Sequence, residues 1–318
     1  MSATIAIEPV SSREDRFGHP ALFYRGLDEY LAGTLPFVHD GLAAGEPVAV
    51  AVPAARLEPL RGELGSAAER VQFLDMGEAG RNPGRILPGV LLAFAEEHAG
   101  AARVRIIGEP IWAGRSAVEY PACVQHEALI NLAFAGRPAT ILCPYDAVGL
   151  SAEVLADAEA THPVVVDARG SRVSAAYAAD RVLAEFNRPF PEPEQHRPLL
   201  VDATVLARAR RLAEAAAIDA GLDEDRVADV EMVANELVTN SVEHAGGTGA
   251  LRIWTEDALL VVEVRDSGQL LDPLVGRRRP DPLQRRGRGL FVVNQLADLV
   301  RLHTAVDGTT VRAYFRLP

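Results

Sequence analysis

Residues 187–198, Asn-Arg-Pro-Phe-Pro-Glu-Pro-Glu-Gln-His-Arg-Pro, carry four prolines. Each proline fixes φ and removes a backbone donor, so this stretch can enter neither a helix interior nor a central strand. The chain therefore cannot build one continuous layered core. The expected division is a domain at 1–186, a linker at 187–199 and a second domain at 200–318. A length of 318 residues independently favours two domains over one. No repeat of fixed period appears, and the two halves have unrelated patterns.

Composition closes off several function classes. Hydrophobic residues make up 48% of the chain, enough for packed cores. The formal net charge of -12 opposes direct nucleic-acid binding, which calls for a basic surface. The start, Met1-Ser-Ala-Thr-Ile, has neither the positive charge nor the apolar run of a secretion signal, and no apolar stretch reaches membrane-spanning length. A cytoplasmic protein without a membrane segment is expected. Two cysteines, Cys123 and Cys143, do not make a disulfide framework. The sequence contains no lysine at all. That excludes a P-loop, which needs Gly-Lys-Ser/Thr, and leaves arginine as the cation for any phosphate.

The first half alternates short β-branched runs with helical patterns. Strands are predicted at Pro47–Val52, Val71–Leu74, Val104–Ile107, Thr140–Cys143 and Pro163–Val166. Helices are predicted at about Gly26–Ala44, Arg85–His98, Val118–Ala135, Ala152–Ala160 and Ala175–Phe186. Such alternation implies a mainly parallel sheet covered on both faces, with ligands beyond the carboxyl ends of its strands. Candidate sensory residues sit near those ends or on the helix between them: Glu109, His126, Glu127, Asn131, Cys143, Tyr145 and Asp146. Cys123-x-x-His126 with Cys143 could bind a metal, but buried thiols are the default reading. His126-Glu127 as a phosphoacceptor is disfavoured, because no helical hairpin follows it.

In the second half, the helix Glu231–His244 gathers Glu236, Thr239, Asn240, Glu243 and His244 on one side. Val230, Val233, Ala234, Leu237, Val238 and Val242 fall on the other and can pack on a sheet. A carboxamide oxygen one turn from a carboxylate suits Mg²⁺ and a proton acceptor at one small site. Taken alone, the pair reads as a solvated helix face. Three further pieces follow in order. Asp266-Ser267-Gly268 closes a Leu/Val-rich strand, and in isolation it is a turn. Arg286-Gly287-Arg288-Gly289 precedes an apolar helix, Leu290–Leu299, whose amino end favours phosphate oxygens. Thr309 opens the last strand. The surrounding arginines, Arg277–Arg279, Arg285, Arg286 and Arg288, read either as a solvated loop or as a lid whose Arg286 or Arg288 reaches phosphates.

These four pieces resemble the GHKL ATPase superfamily of histidine kinases, gyrase and MutL over about Pro198–Pro318. Within it, Glu-Leu-Val-Thr-Asn-Ser-Val-Glu-His-Ala and Gly-Arg-Gly-Leu-Phe-Val-Val are similar to the anti-sigma-factor serine kinase (RsbW-like) branch. The resemblance implies an α/β sandwich of Bergerat type with a mixed, largely antiparallel sheet, and ATP with Mg²⁺ as cofactors. It implies Glu236 as the catalytic base or orienter and Asn240 as the Mg²⁺ ligand. Asp266 becomes the acceptor for the adenine amino group, with Gly268, Arg286, Gly287, Arg288, Gly289 and Thr309 around the nucleotide. It also implies a sigma factor and a STAS-type anti-sigma-factor antagonist as partners, the antagonist supplying the Ser or Thr hydroxyl; a homodimer is compatible with this. A non-catalytic ATP-binding switch and an atypical sensor histidine kinase are the competing readings. Gln269-Leu270 departs from the histidine-kinase pattern, where a second glycine is expected. In the first half, Gly18-His19-Pro20, Glu127-Ala-Leu-Ile-Asn131 and Cys143-Pro-Tyr-Asp146 resemble the MEDS sensory domain, a RecA-like module, over about Phe17–Ala168. That resemblance implies sensing, with no defined ligand.

Overall fold

The computed structural model describes residues 17–193, 198–202, 204–245, 249–281 and 287–318. The chain forms two compact units, Met1–Phe186 and Asn187–Pro318. Among the described residues, no helix is long and apolar enough to cross a membrane.

The first unit runs β1 (Phe17–Gly18), β2 (Pro20–Tyr24), α1 (Gly26–Ala43), β3 (Val48–Val52), α2 (Ala54–Leu64), β4 (Val71–Asp75), α3 (Met76–Ala79), α4 (Pro83–Ile86), α5 (Leu92–Glu97), β5 (Val104–Gly108), α6 (Tyr120–Ala133), β6 (Ala139–Asp146), α7 (Ala152–Thr161), β7 (Val164–Asp167), β8 (Gly170–Val173) and α8 (Ala179–Phe186). Its eight-stranded sheet has the order β4-β3-β5-β6-β2-β7-β8, with β1 beside β6. Every pairing is parallel except the β7–β8 hairpin, so the sheet is mainly parallel, as the alternation predicts. Its strands are apolar on both faces; in β3 all of Val48–Val52 is buried. Strand β8 and helix α2 lie outside the predicted elements, and two further departures have a proline as their cause. The central strand β2 begins on Pro20, which is tolerated only at a strand's first residue, and the sequence reading passed it over. The helix predicted at Arg85–His98 is broken into α4, a π turn at Leu87–Leu91 and α5. Pro88 within that turn has no N–H to continue the α-helical ladder.

The second unit runs β9 (Leu199–Val201), α9 (Leu206–Asp219), α10 (Glu224–His244), β10 (Gly249–Glu256), β11 (Leu259–Asp266), α11 (Gly289–Leu296), β12 (Leu299–Ala305) and β13 (Gly308–Arg316). The sheet order is β12-β13-β11-β10-β9. Each described pairing is antiparallel, so the mixed character expected of this sheet is not seen there; short hairpins join β10 to β11 and β12 to β13. Alternate residues Leu260, Val262 and Val264 of β11 face the helices and pack with Val230, Val233, Ala234, Leu237 and Val238 of α10. α10 begins seven residues earlier than the polar-face argument placed it, where the Asp223 carboxylate accepts from the Arg226 N–H at 2.9 Å.

The proline-bearing segment packs on this second unit. The Asn187 amide donates to the Thr304 carbonyl at 2.8 Å and accepts from the Thr304 N–H at 3.0 Å, imitating one rung of a ladder at β12. The Phe190 ring lies against the guanidinium groups of Arg301 and Arg312, 5.0 and 4.7 Å from its centroid. Arg312 in turn donates to Glu263 at 2.6 Å and to the Pro191 carbonyl. Residues 187–193 thus cover part of the sheet face opposite the helices, so the stretch expected as a spacer is a packed strap over this length.

Candidate functional site

A cavity of about 440 Å³ opens between α10, the end of β11, the start of α11 and β13. Its apolar walls are Leu237, Val264, Leu270, Val275, Leu290 and Val311; its polar groups include Asn240, His244, Asp266 and Thr309. Such a slot, apolar with a few convergent polar atoms, suits a flat heteroaromatic base carrying a charged tail.

One end is built around Asp266. Its Oδ2 accepts from the buried Ser241 hydroxyl at 2.6 Å and its Oδ1 from the Gly268 N–H at 2.8 Å. The carboxylate is thereby fixed in orientation while retaining lone pairs for a further donor. Thr309 donates to the Gly268 carbonyl at 2.8 Å and meets the Thr304 hydroxyl at 2.9 Å, tying the Asp-Ser-Gly turn to β13. Gly268 leaves little room there: a Cβ would stand 3.1 Å from Asp266 Oδ1 and 3.2 Å from Ala245 Cβ, closer than ordinary contact. Leu270, where histidine kinases are expected to carry a second glycine, lines the cavity and donates its N–H to the Thr304 hydroxyl at 3.2 Å.

The other end is built around Asn240 and Glu236, half-buried on one face of α10. Gly289, the first residue of α11, sits against both. A Cβ on it would lie 2.8 Å from Asn240 Oδ1 and 3.0 Å from Glu236 Oε2. A hard amide oxygen and a carboxylate thus converge where a helix amino end begins, the donor set that Mg²⁺ and a phosphate chain require. Gly287 precedes it with φ +82° and also lines the cavity. Arg288 is placed differently from expectation. It is exposed and donates to the Asp281 carbonyl at 3.1 Å, outside the cavity lining, because the αR backbone that leads into α11 turns it outward. Arg286 and Arg285 lie outside the described residues. Ser241 and Thr304 were missed in the sequence; Ser241 could have been found from its place one residue after Asn240 and one helical turn after Leu237.

The sensory candidates of the first unit separate into two clusters. At the carboxyl ends of β5 and β6, the buried Glu109 accepts from the Tyr24 hydroxyl at 3.1 Å, and Asp146 accepts from Arg56 at 3.2 Å. Arg56 also donates to the Tyr24 oxygen at 3.1 Å. Burial pushes the Glu109 carboxyl up to about 8, with nearby Asp146 adding to the rise and Tyr24 and Arg56 opposing it. Deeper in the unit, Glu127 and Cys143 lie beside His19 and His162, all four buried. Asn131 meets His19 at 3.2 Å, and the Tyr145 ring stands edge-on to His162 with centroids 5.5 Å apart. Burial, then the neighbouring His162, holds the His19 imidazole down at about 4. His126 is buried outside this cluster, since adjacent helix positions point about 100° apart. The Cys123, His126 and Cys143 combination considered as a metal site is therefore not assembled; Cys143 meets different partners. Arg56 and His162 are not among the sequence candidates, and His19 stands there only within the Gly18-His19-Pro20 piece of the MEDS resemblance, although His19-Pro20 and His162-Pro163 repeat one dipeptide at the openings of neighbouring strands.

Comparison with known families matches residues 18–163 to MEDS, the methanogen/methylotroph DcmR sensory domain, and residues 200–315 to the histidine kinase-like ATPase domain. The second unit is a histidine kinase-like ATPase domain. Its similarity to the serine-protein kinase RsbW of Halalkalibacterium halodurans is 29% identity over 125 residues, 34% of this chain and 77% of that protein. The MEDS match precedes the ATPase match in the chain, and the likeness to RsbW falls within the ATPase part. Among solved structures, the RsbU and RsbW domains of a Mycobacterium tuberculosis protein align at 24% identity with a TM-score of 0.29, over 41% of this chain and 34% of that one. The Acinetobacter baumannii histidine kinase AdeS aligns at 12% identity with a TM-score of 0.24, over 38% of this chain and 68% of that one.

Proposed function

We propose that this protein is an anti-sigma-factor regulator of the cytoplasm. Its ATPase domain binds ATP with Mg²⁺ and phosphorylates a Ser or Thr of a STAS-type anti-sigma-factor antagonist, under the control of the MEDS domain. The observation that carries this reading is the convergence of Asn240, Glu236 and Gly289 at one end of a cavity whose other end presents a fixed Asp266. Asp266 accepts the exocyclic amino group of adenine, and Leu237, Val264 and Val311 pack on the ring. Asn240 would hold Mg²⁺ through its amide oxygen, and the cation would neutralise charge on the phosphate oxygens. Glu236 orients the antagonist hydroxyl and accepts its proton. The hydroxyl oxygen bonds to the γ-phosphorus as the bond to the β–γ bridging oxygen breaks, and ADP leaves with that electron pair.

Titration calorimetry of the full chain with ATP and Mg²⁺ tests the binding half. Asn240→Asp is expected to abolish Mg²⁺-dependent binding, whereas Glu236→Ala keeps binding and loses transfer. Unchanged ATP affinity in Asn240→Asp contradicts the metal role. Incubation with labelled ATP and a candidate antagonist tests the other half. Acid-stable label on the antagonist supports the kinase. Binding without label on either protein leaves a sequestering switch for a sigma factor. Acid-labile label on this chain supports a histidine kinase instead.

A further inference from the structure

Outside the ATPase domain, four chemistry-bearing side chains meet in the interior of the MEDS domain. His19 immediately precedes β2, His162 lies just before β7, Cys143 is in the middle of β6, and Glu127 reaches in from α6. All four are buried, with relative exposures of 2%, 0%, 1% and 0%. One ligand atom from each, His19 Nε2, His162 Nε2, Cys143 Sγ and a Glu127 oxygen, lies within 4.8 Å of every other.

The hydrogen-bond arrangement decides which way the ring lone pairs point. His162 Nδ1 stands 2.8 Å from the Ala158 carbonyl, which can only accept, so Nδ1 carries the proton. The Asn131 amide nitrogen donates to the Thr161 carbonyl at 2.8 Å, which leaves Asn131 Oδ1 to accept from His19 Nδ1 at 3.2 Å. In their neutral forms both imidazoles therefore turn a bare Nε2 inward. Each faces the same oxygen, Glu127 Oε2, at 3.3 and 3.2 Å. Neither approach has hydrogen-bond geometry: among the described residues, both Glu127 oxygens and His162 Nε2 are buried without a hydrogen-bond partner. Cys143 Sγ is 3.4 Å from His19 Nε2.

The Cys143 thiol can donate to His19 Nε2, but among the described residues the two Glu127 oxygens and His162 Nε2 have no donor, and four metal-ligating atoms crowd one small buried volume, as in an empty coordination sphere. In a tetrahedral site with metal–nitrogen and metal–oxygen bonds of about 2.0–2.1 Å and a metal–sulfur bond of about 2.3 Å, ligand atoms stand roughly 3.3–3.7 Å apart. Three of the six pairs, at 3.2, 3.3 and 3.4 Å, stand at the short end of that spacing, and every pair lies within 4.8 Å, so small side-chain shifts would seat the cation. The outer contacts have the matching form, since metal-bound imidazoles give their other N–H to a carbonyl or amide oxygen, here Ala158 and Asn131. Unpaired, such buried polar atoms are costly.

We infer that His19, Glu127, Cys143 and His162 form a closed four-ligand site for a divalent transition metal of the zinc class. With every position taken by protein, the site is structural: the cation joins the openings of β2 and β7 to the middle of β6 and to α6. Entry accompanies folding, because the centre is sealed from solvent, and binding expels the Cys143 thiol proton. The ATPase domain takes no part, so the inference stands apart from the nucleotide reading.

The test uses the full chain, purified under reducing conditions after growth with added zinc, and a second sample refolded with Co²⁺. One zinc per chain is expected by elemental mass spectrometry, and the Co²⁺ form should show tetrahedral visible bands with thiolate-to-cobalt charge transfer. Cys143→Ser should abolish the charge transfer, and His162→Ala should weaken Co²⁺ binding at least about tenfold. Asn131→Ala, which touches no metal, should weaken it about tenfold through His19. Cys123→Ser, the other buried thiol, should leave the spectrum unchanged. Wild-type protein that refolds yet takes up neither zinc nor cobalt overturns the site. So does a cobalt spectrum that responds to Cys123→Ser and not to Cys143→Ser.

Discussion

At the scale of single residues, the cavity of the ATPase domain is set by groups that hold other groups still. Gly289 is where α11 comes closest to Asn240 and Glu236, and a methyl there would press on both at about 3 Å. Gly289→Ala is expected to displace those side chains at a cost of about 1–3 kcal/mol, read as a roughly fivefold or greater loss of Mg-ATP affinity by calorimetry. The thermal midpoint should change little, because the crowded atoms are half-exposed side chains and not core. Ser241→Ala acts at the opposite end. It removes the 2.6 Å donor to Asp266 and should weaken ATP and ADP alike by about fivefold, near 1 kcal/mol. If Ser241→Ala altered Mg²⁺ dependence while Gly289→Ala did not, the two ends would have been assigned the wrong way round.

At the scale of elements, the hairpin joining β10 to β11 turns through Asp257 and Ala258, both at positive φ, 44° and 59°. Two left-handed residues between paired strands make a type I′ turn, whose second position favours glycine because an L side chain there is strained by roughly 1 kcal/mol. Ala258→Gly should stabilise the ATPase domain by about 0.5–1 kcal/mol, a rise of a few degrees in its melting temperature; a fall would mean that glycine's extra freedom when unfolded outweighs the relief. This turn was not read in the sequence, since Asp-Ala is not a turn dipeptide of the Asn-Gly kind. What was readable follows the same logic. The polar and apolar sides of α10 were visible because its 3.6-residue period runs unbroken from Val230 to Val242. The parallel strands were visible because their apolar runs are continuous. Strand β2 was hidden by its opening proline, and α2 by Pro53 at its start, Pro59 and Gly62 within it and Gly65 at its end. The site residues that the sequence did not single out as ligand groups, His162, Arg56 and Ser241, and His19, known there only as part of a resemblance, share one property. Each gains its meaning from a partner more than 20 residues away, and local pattern carries no trace of that partner.

At the scale of the whole molecule, the two units should answer to different variables. On the proposed function, ATP with Mg²⁺ would bind only the folded ATPase domain, so it should raise that domain's unfolding transition and identify it in a calorimetric scan. The MEDS domain should answer to pH through Glu109, which faces Tyr24, Tyr30, Arg56 and Asp146. Its folded carboxyl titrates near 8 against an ordinary value of 4.5. Between these values the folded state holds a proton that the unfolded state has released, so stability falls as pH rises and the contribution is gone above about 8. His19 works in the opposite sense. Held near 4 against an ordinary 6.5, it adds stability as pH rises toward 6.5 and nothing beyond. The clean window is therefore pH 6.5–8, where only the Glu109 effect remains of the two. Over it the MEDS transition should move down in wild type relative to Glu109→Gln, by an amount of the order of 1–2 kcal/mol. The neutral amide of Glu109→Gln keeps the shape and cannot ionise, and the proton that Cys143 gives up to a metal is common to both proteins and cancels. An equal decline in both proteins would place the proton elsewhere and leave Glu109 charged in its buried site beside Tyr24.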